Sequence, residues 1–305
     1  MGIYILINSK ISEIKSVFNY IKNFKQPLKI IRHIILNEFP FDAFVRGQQK
    51  AIHIENRLIA WWVSNGLYDF AWNIMDNELS FKANGKILKL VLKGNHGDIN
   101  GIFLKEKYRN LQTRGSVIFD IGCNIGDSLL YFVNSGAIKV IGIEPIKELY
   151  DLSLYNMSIN NIKERVIVLN AFLSDSKSSI SLPQSVTSGP GSQLEWLSNT
   201  SNQDKISVES ITLDELFKLS PNEADKILKL NCNGCEYDII KKENIPALSM
   251  FMQIHITYSY GYKKLVEILN LAGFQCKIFG KKNIINPFTS TEKKEMEFGE
   301  LFAWR

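Results

Sequence analysis

The apolar positions change their period part-way along the chain. Over residues 11–37, Ile14, Val17, Phe18 and Ile21 recur at the spacing of one helix face, and Leu28, Ile31, Ile34 and Ile35 repeat it after Pro27. Two amphipathic helices are expected there. Residues 60–72 gather Trp61, Trp62, Tyr68, Phe70 and Trp72, a cluster that suits packing between subdomains or the wall of an acceptor pocket. Residues 86–92 alternate as a strand does, and 94–101 are turn-rich, which places a boundary near residue 97. Beyond about Gly115, short apolar runs at 117–120, 139–144, 166–169, 226–230, 250–256 and 275–279 alternate with helical segments. One such helix covers 127–134 and stops at Gly136; on the next, Leu149, Leu152, Tyr155 and Ile159 share a side. Strand and helix in alternation are the mark of βαβ units. The expected fold is a doubly wound α/β sheet over 97–305, preceded by a mainly helical extension over 1–96. The Ser-, Gly- and Gln-rich stretch 181–204 is too long for an ordinary connection and reads as a functional lid or a disordered segment.

Composition narrows the function classes without choosing among them. With 45% hydrophobic and 22% charged residues in 305, the chain has the make-up of a globular protein with a full core. The net charge of +5 is spread along the chain, so nucleic acid is not indicated as a partner. Lys15, Lys22, Lys25, Lys29 and Arg32 lie on the polar faces of the two N-terminal helices, either as a solvated face or as a peripheral contact with an anionic membrane. No apolar run reaches the roughly 18–20 residues that span a bilayer, and the first residues do not read as a secretory signal, so a cytoplasmic protein is expected. Of the four cysteines, Cys232 and Cys235 form a C-x-x-C, but no second pair follows at zinc-site spacing. Neither a disulfide framework nor a metal site is expected.

The strongest local signal is V-I-F-D-I-G-C-N-I-G-D-S over residues 117–128, an apolar strand running into a glycine turn and a helix. Gly122 lets the main chain pass close to a ligand, and Gly126 allows close helix–strand contact. The acidic residues indicate which ligand. Asp120 stands where a carboxylate meets the cationic amino group of a methionine moiety, and a pyrophosphate would be repelled. Glu144 ends the next strand at the place where a ribose diol is gripped. Asp127 adds negative charge beside the glycine turn, again against a phosphate. A ligand made of adenosine and an amino acid fits best; the alternative is a flavodoxin-like or NAD-binding domain with incidental carboxylates.

These residues resemble the FkbM family of methyltransferases. Asp120, Gly122, Asn124, Gly126 and Asp127 match its D-x-G-A-N-x-G-D first motif, with Cys123 in the Ala place. The resemblance continues through Glu144-Pro145, the V-L-N-A of residues 168–171, the I-T-L-D of 211–214, a K-x-D-x-E-G-x-E-like segment at 229–236, and a closing antiparallel strand at 299–305. It implies a class I methyltransferase with a mostly parallel seven-stranded sheet and S-adenosylmethionine as cofactor, with Asn170 and Ala171 joining the cofactor-binding residues. The implied reaction is methyl transfer to a hydroxyl of a glycan or small metabolite.

The chain also departs from that family. The motif's Asp and Glu are Asn231 and Asn233, and Gln253 replaces the acid expected before the histidine of the fifth strand; Lys229, Gly234, Glu236 and His255 remain. An amide is no base and only a weak, neutral metal ligand. Metal-assisted transfer therefore loses support, and His255 and Glu236 are left as candidate bases beside Asn231 as a catalytic-site amide. Since a sulfonium is already a good leaving group, transfer can also proceed largely by positioning. Two readings of other classes stay open: a cofactor-binding protein without catalysis, in a regulatory or scaffold role, and methylation of RNA or a base. The latter lacks an Asn-Pro-Pro-aromatic motif. The sequence gives neither the acceptor nor the oligomeric state.

Overall fold

The structure is a computed structural model; it describes residues 17–47, 51–54, 60, 63–64, 73–75, 78–91, 99–183, 205–221, 223–232, 234–285 and 295–305. Ile14, Lys15, the aromatic residues Trp61, Trp62, Tyr68, Phe70 and Trp72, the 184–204 part of the expected lid, and Asn233 lie outside the described residues.

Residues 17–23 are helical and α1 spans Pro27–Leu36, so the helices form where expected, but the face differs: Tyr20, Phe24 and Ile30 are buried, whereas Val17, Phe18, Ile21, Leu28 and Ile35 are exposed. Short strands follow: β1 (Phe41–Phe44) pairs with β2 (Ala51–Ile54), and β3 (Asn73–Met75), β4 (Glu78–Ala83) and β5 (Lys86–Val91) form an antiparallel meander. The β4–β5 turn is Asn84-Gly85, both at positive φ, the backbone that lets a two-residue hairpin follow the strands' twist. The region before residue 97 thus carries strands beyond the one at 86–92 that the alternation predicts.

The main sheet is built from β6 (Val117–Ile121), β7 (Lys139–Ile143), β8 (Val166–Leu169), β12 (Lys226–Leu230), β13 (Gln253–Tyr258), β14 (Gln275–Ile285) and β15 (Glu295–Trp304). Their order is β14-β15-β13-β12-β6-β7-β8, with β15 antiparallel to both neighbours. Between β8 and β12, β9 (Phe172–Leu173), β10 (Ser179–Pro183) and β11 (Lys205–Ile211) form a small separate sheet. Residues 181–183 therefore belong to a strand and not to the lid. The helices are α2 (Asp127–Asn134), α3 (Lys147–Ile159), α4 (Leu213–Phe217), α5 (Cys235–Ile239), α6 (Ile245–Leu248) and α7 (Lys263–Leu271). Thr212 and Glu215 close a reciprocal capping box that starts α4 directly after β11. Among the described residues no helix is long and apolar enough to cross a membrane.

Every residue of β6 and β12 is buried, which explains why their apolar residues do not alternate with exposed polar ones; Asp120, Lys226 and Lys229 are buried with them. On one face Ile118, Val140 and Ile227 share a continuous core with Leu129, Phe132, Tyr20, Phe24, Phe81 and Leu90. On the other, Phe119, Ile141, Leu228 and Ile254 pack with Leu216, Ile239, Leu265 and Phe251.

Helix α3 corrects one expectation. Its buried stripe is Leu149, Ser153, Asn156 and Met157, while Tyr155 is 47% exposed. A polar side chain faces inward because its hydrogen bonds are met there. Asn156 Nδ2 donates to the Ile125 carbonyl at 2.7 Å, and its Oδ1 accepts from the Val91 amide at 2.9 Å. Tyr155 turns outward to donate to Glu78 Oε1 at 2.6 Å.

Candidate active site

The chain leaves β6 for β7 and β8 on one side and returns to β12 on the other, so the strand order reverses between β6 and β12. In an open parallel sheet the crevice beyond the carboxyl ends at such a reversal is where ligands bind. A cleft lies there, lined by Ile121 and Gly122 after β6, Ile143, Glu144, Pro145 and Ile146 after β7, Phe172, and Asn231, Cys232 and Cys235 after β12. Three of the sequence-derived site residues, Gly122, Glu144 and Asn231, line one cavity although 109 positions separate the first from the last.

Asp120 lies beside this cleft, and its carboxylate is already engaged. Lys229 Nζ stands 2.6 Å from Oδ1, and Ser128 Oγ donates to Oδ2 at 2.5 Å. Asp120 and Lys229 are register partners on adjacent parallel strands, and both are about fully buried, at 0% and 1% exposure. The lysine also donates to the Gly122 carbonyl at 2.8 Å, tying β12 to the glycine turn. Lys229 was legible only as a retained residue of the family-like motif, and its role as counter-ion was missed.

Glu144 is buried too, but among the described residues no cation pairs with it. Its Oε2 accepts from the Asn124 amide at 2.9 Å and its Oε1 from the Ile146 amide at 3.0 Å. Burial outweighs those bonds and the through-space pull of Lys229, and pushes the carboxyl up to about 7. Asn170 fixes the strand end from behind, Nδ2 donating at 3.0 Å to the carbonyls of both Glu144 and Pro145. Ala171 is buried next to it.

The glycines answer to close approach. A Cβ at Gly122, where φ is +76°, would stand 2.2 Å from the Asn231 carbonyl oxygen, so the turns after β6 and β12 touch through main chain. The reason for this glycine is thus contact between two strand exits as well as room for a ligand. At Gly126, φ +84°, a Cβ would meet Met157 Cε at 2.9 Å and Ser153 Cβ at 3.2 Å, a contact between α2 and α3 in place of the helix–strand contact expected. That helix–strand contact falls to Gly142, where a Cβ would lie 2.8 Å from Leu129 Cδ2. Asn124 takes the left-handed region at φ 50°, which aims its amide at Glu144. Asp127 opens α2, buried, with Oδ1 accepting from the Ser128 amide at 2.8 Å.

Residues 120–276, a little over half of the 305, match the family described as the methyltransferase FkbM domain, and the match begins at Asp120 itself. The chain belongs to the FkbM methyltransferase family. Comparison with curated proteins finds no match. Among solved structures, the precorrin-6y C5,15-methyltransferase of Geobacter metallireducens is 15% identical, over 66% of this chain and 85% of that one, with a TM-score of 0.37. Trm5b of Pyrococcus abyssi is 13% identical, covering 87% of this chain and 63% of that one, with a TM-score of 0.40. TYW2 of P. horikoshii, in complex with MeSAdo, is 15% identical, covering 76% and 73%, with a TM-score of 0.37.

The exit of β12 is where this FkbM domain departs from its family's motif. Asn231 lines the cleft, with its amide donating to the Ile121 carbonyl at 3.0 Å. Cys232 and Cys235 are joined in a disulfide on the cleft wall, a bond that the cysteine count did not suggest. Glu236 is 0% exposed and does not line the cleft; its Oε2 accepts from the Gly234 amide at 2.8 Å and its Oε1 from the Ser259 amide at 3.3 Å. Burial raises its carboxyl above the usual range. His255 sits one strand further, 3.5 Å from Glu300 Oε2 and edge-on to Tyr108, and does not line the cleft either. Its burial holds the imidazole below its ordinary value, against the pull of Glu300, and Nδ1 has no hydrogen-bond partner among the described residues. No three His, Cys, Asp or Glu side chains among the described residues converge to hold a metal ion.

Proposed function

We propose that this FkbM domain is an S-adenosylmethionine-dependent O-methyltransferase acting on a hydroxyl of a glycan or small metabolite. The observation that carries the cofactor reading is Glu144. It is a buried carboxyl group lining the cleft at the sheet's reversal, held by two backbone amides, with no cation paired to it among the described residues and with lone pairs left to accept from a ribose diol. A phosphate ligand would meet Glu144, Asp120 and Asp127 with Lys229 already committed, which disfavours dinucleotides. The residues fit the cofactor's adenosine and methionine parts: a carboxylate for the ribose, a glycine turn at the switch point, and the apolar Ile121, Ile146 and Phe172 around them.

When bound, S-adenosylmethionine supplies an electrophilic methyl group on a good leaving group. The chain then has to orient an acceptor and exclude water. Asn231, on the cleft wall, can accept from or donate to an acceptor hydroxyl but cannot remove its proton. Glu236, with both oxygens on backbone amides, is a positioning residue for the turn after β12. His255, with no hydrogen-bond partner at Nδ1 among the described residues, stays a candidate base, one strand away from the cleft. Positioning is accordingly the main contribution assigned to this chain.

The second reading, a cofactor-binding protein without catalysis, is favoured because neither Glu236 nor His255 lines the cleft. Methyl-labelled S-adenosylmethionine offered with a panel of glycans and small hydroxylated metabolites, with a chelator present, separates the two. Transfer to a hydroxyl supports the enzyme; binding of S-adenosylhomocysteine with no transfer to any member supports the second reading. Transfer to nitrogen alone would overturn the hydroxyl assignment.

A further inference from the structure

The family motif over residues 229–236 leaves two positions variable between its acids, and in this chain both hold cysteine, Cys232 and Cys235. Nothing in the motif asks for a thiol there. Yet the two Cα atoms stand 5.5 Å apart, the side chains are joined, and both line the cleft together with Gly122, Glu144 and Asn231. The bond lies on the same turn whose Asn231 carbonyl presses against Gly122, so it braces one of the two strand exits that touch beneath the ligand. The two residues are unequally exposed: Cys232 is half-buried and Cys235 is 7% exposed. The other cysteines, Cys123 and Cys276, stay free, so the pair is a local device and not part of a stabilising framework. No third ligand joins it among the described residues, which sets a dithiol–disulfide pair apart from a zinc site.

We propose that Cys232–Cys235 is a reducible disulfide that sets the cleft's affinity for the cofactor, and that a dithiol is the reductant it takes. This rests on the reading of the cleft as a cofactor site. The exchange begins at the more exposed cysteine. A thiolate of the dithiol attacks Cys232 Sγ, the Cys232–Cys235 bond breaks, and Cys235 leaves as a thiolate that takes a proton from water. The second thiol of the reductant then displaces Cys232, so that two electrons pass to the protein and the reductant becomes a disulfide. Reduction releases the Cys232 side chain and loosens the turn carrying Asn231. A wall that was pre-organised must then be ordered by the ligand, and affinity falls.

The test uses the full chain in two states, oxidised with glutathione disulfide and reduced with dithiothreitol, each titrated with S-adenosylhomocysteine by calorimetry. Thiol alkylation followed by mass spectrometry, performed in parallel, counts free Cys232 and Cys235. The expected result is two blocked cysteines in the oxidised state and two free ones in the reduced state, with S-adenosylhomocysteine bound at least about fivefold more tightly by the oxidised protein. A double variant, Cys232→Ser with Cys235→Ser, should match the reduced protein and ignore both reagents. If that variant does not fold, the comparison of the two native states decides alone. Both cysteines free under glutathione disulfide, or both blocked under dithiothreitol, overturn the redox site whatever the ligand does. Equal affinities with the redox states confirmed overturn the switch and leave the cofactor reading standing. Binding in neither state overturns both.

Discussion

Asp120 and Glu144 end neighbouring parallel strands, and both are buried carboxylates beside one cleft, yet their surroundings differ in one respect. Asp120 has an internal cation: Lys229, its register partner on β12, together with the hydroxyl of Ser128. Glu144 has two backbone amides and, among the described residues, no ion pair, and burial lifts its carboxyl to about 7. A buried carboxylate that carries its counter-ion holds the fold together. One left to backbone amides alone is stabilised further only when something else donates to it. The two carboxylates therefore differ in what is left to them: Asp120 is committed to Lys229, which also ties down the glycine turn, and Glu144, proposed above as the ribose acceptor, faces no cation among the described residues.

The largest effect should come from breaking the compensated end. Lys229→Met leaves Asp120 buried without its cation, and stability in urea at pH 7 should fall by about 3–5 kcal/mol. Asp120→Asn combined with Lys229→Met should recover most of that loss, since a neutral pair costs far less to bury than a lone charge. A neutral Lys229→Met would erase the distinction between the two strand ends.

At the uncompensated end the effect should appear with pH. Ribose hydroxyls donating to Glu144 favour its charged form, so affinity is fully present well above pH 7 and is lost as pH falls through about 7, the value to which burial raises this carboxyl. Asp120 and Lys229 act on Glu144 through space in opposite senses. S-adenosylhomocysteine should bind about tenfold more weakly at pH 6 than at pH 8, equivalent to about 1.4 kcal/mol. A flat profile over that range would place the ligand's hydroxyls elsewhere. A smaller change is expected from Asn170→Ala, which removes the two hydrogen bonds holding the carbonyls of Glu144 and Pro145. Thermal denaturation should register a loss of about 1 kcal/mol.

The difference between the strand ends also marks what could be read in the sequence. Apolar runs located β6, β12 and α2, because strands buried on both faces and a helix stopped by glycine leave clear patterns. Spacing brought Gly122 and Glu144 to one site, because both follow strands in a fold with a defined ligand crevice. It assigned Asp120 to the ligand without any means of seeing that Lys229 faces the same carboxylate, because that pairing depends on the register between β6 and β12. The inward face of α3 was misread for the same reason: Asn156 is buried by partners at Ile125 and Val91, which no local period reveals. Likewise, the cysteine count spoke against a disulfide framework, while the C-x-x-C spacing itself allowed the single local bond that forms.

Calorimetric titration of the native protein and of Glu144→Ala with S-adenosylhomocysteine tests the central assignment most directly. The native chain should bind at one saturable site, and the variant should bind with a loss of about 1–3 kcal/mol, because the ribose hydroxyls then lack their charged acceptor. Equal affinity of the two proteins, or no binding by the native chain, would contradict the assignment of this cleft.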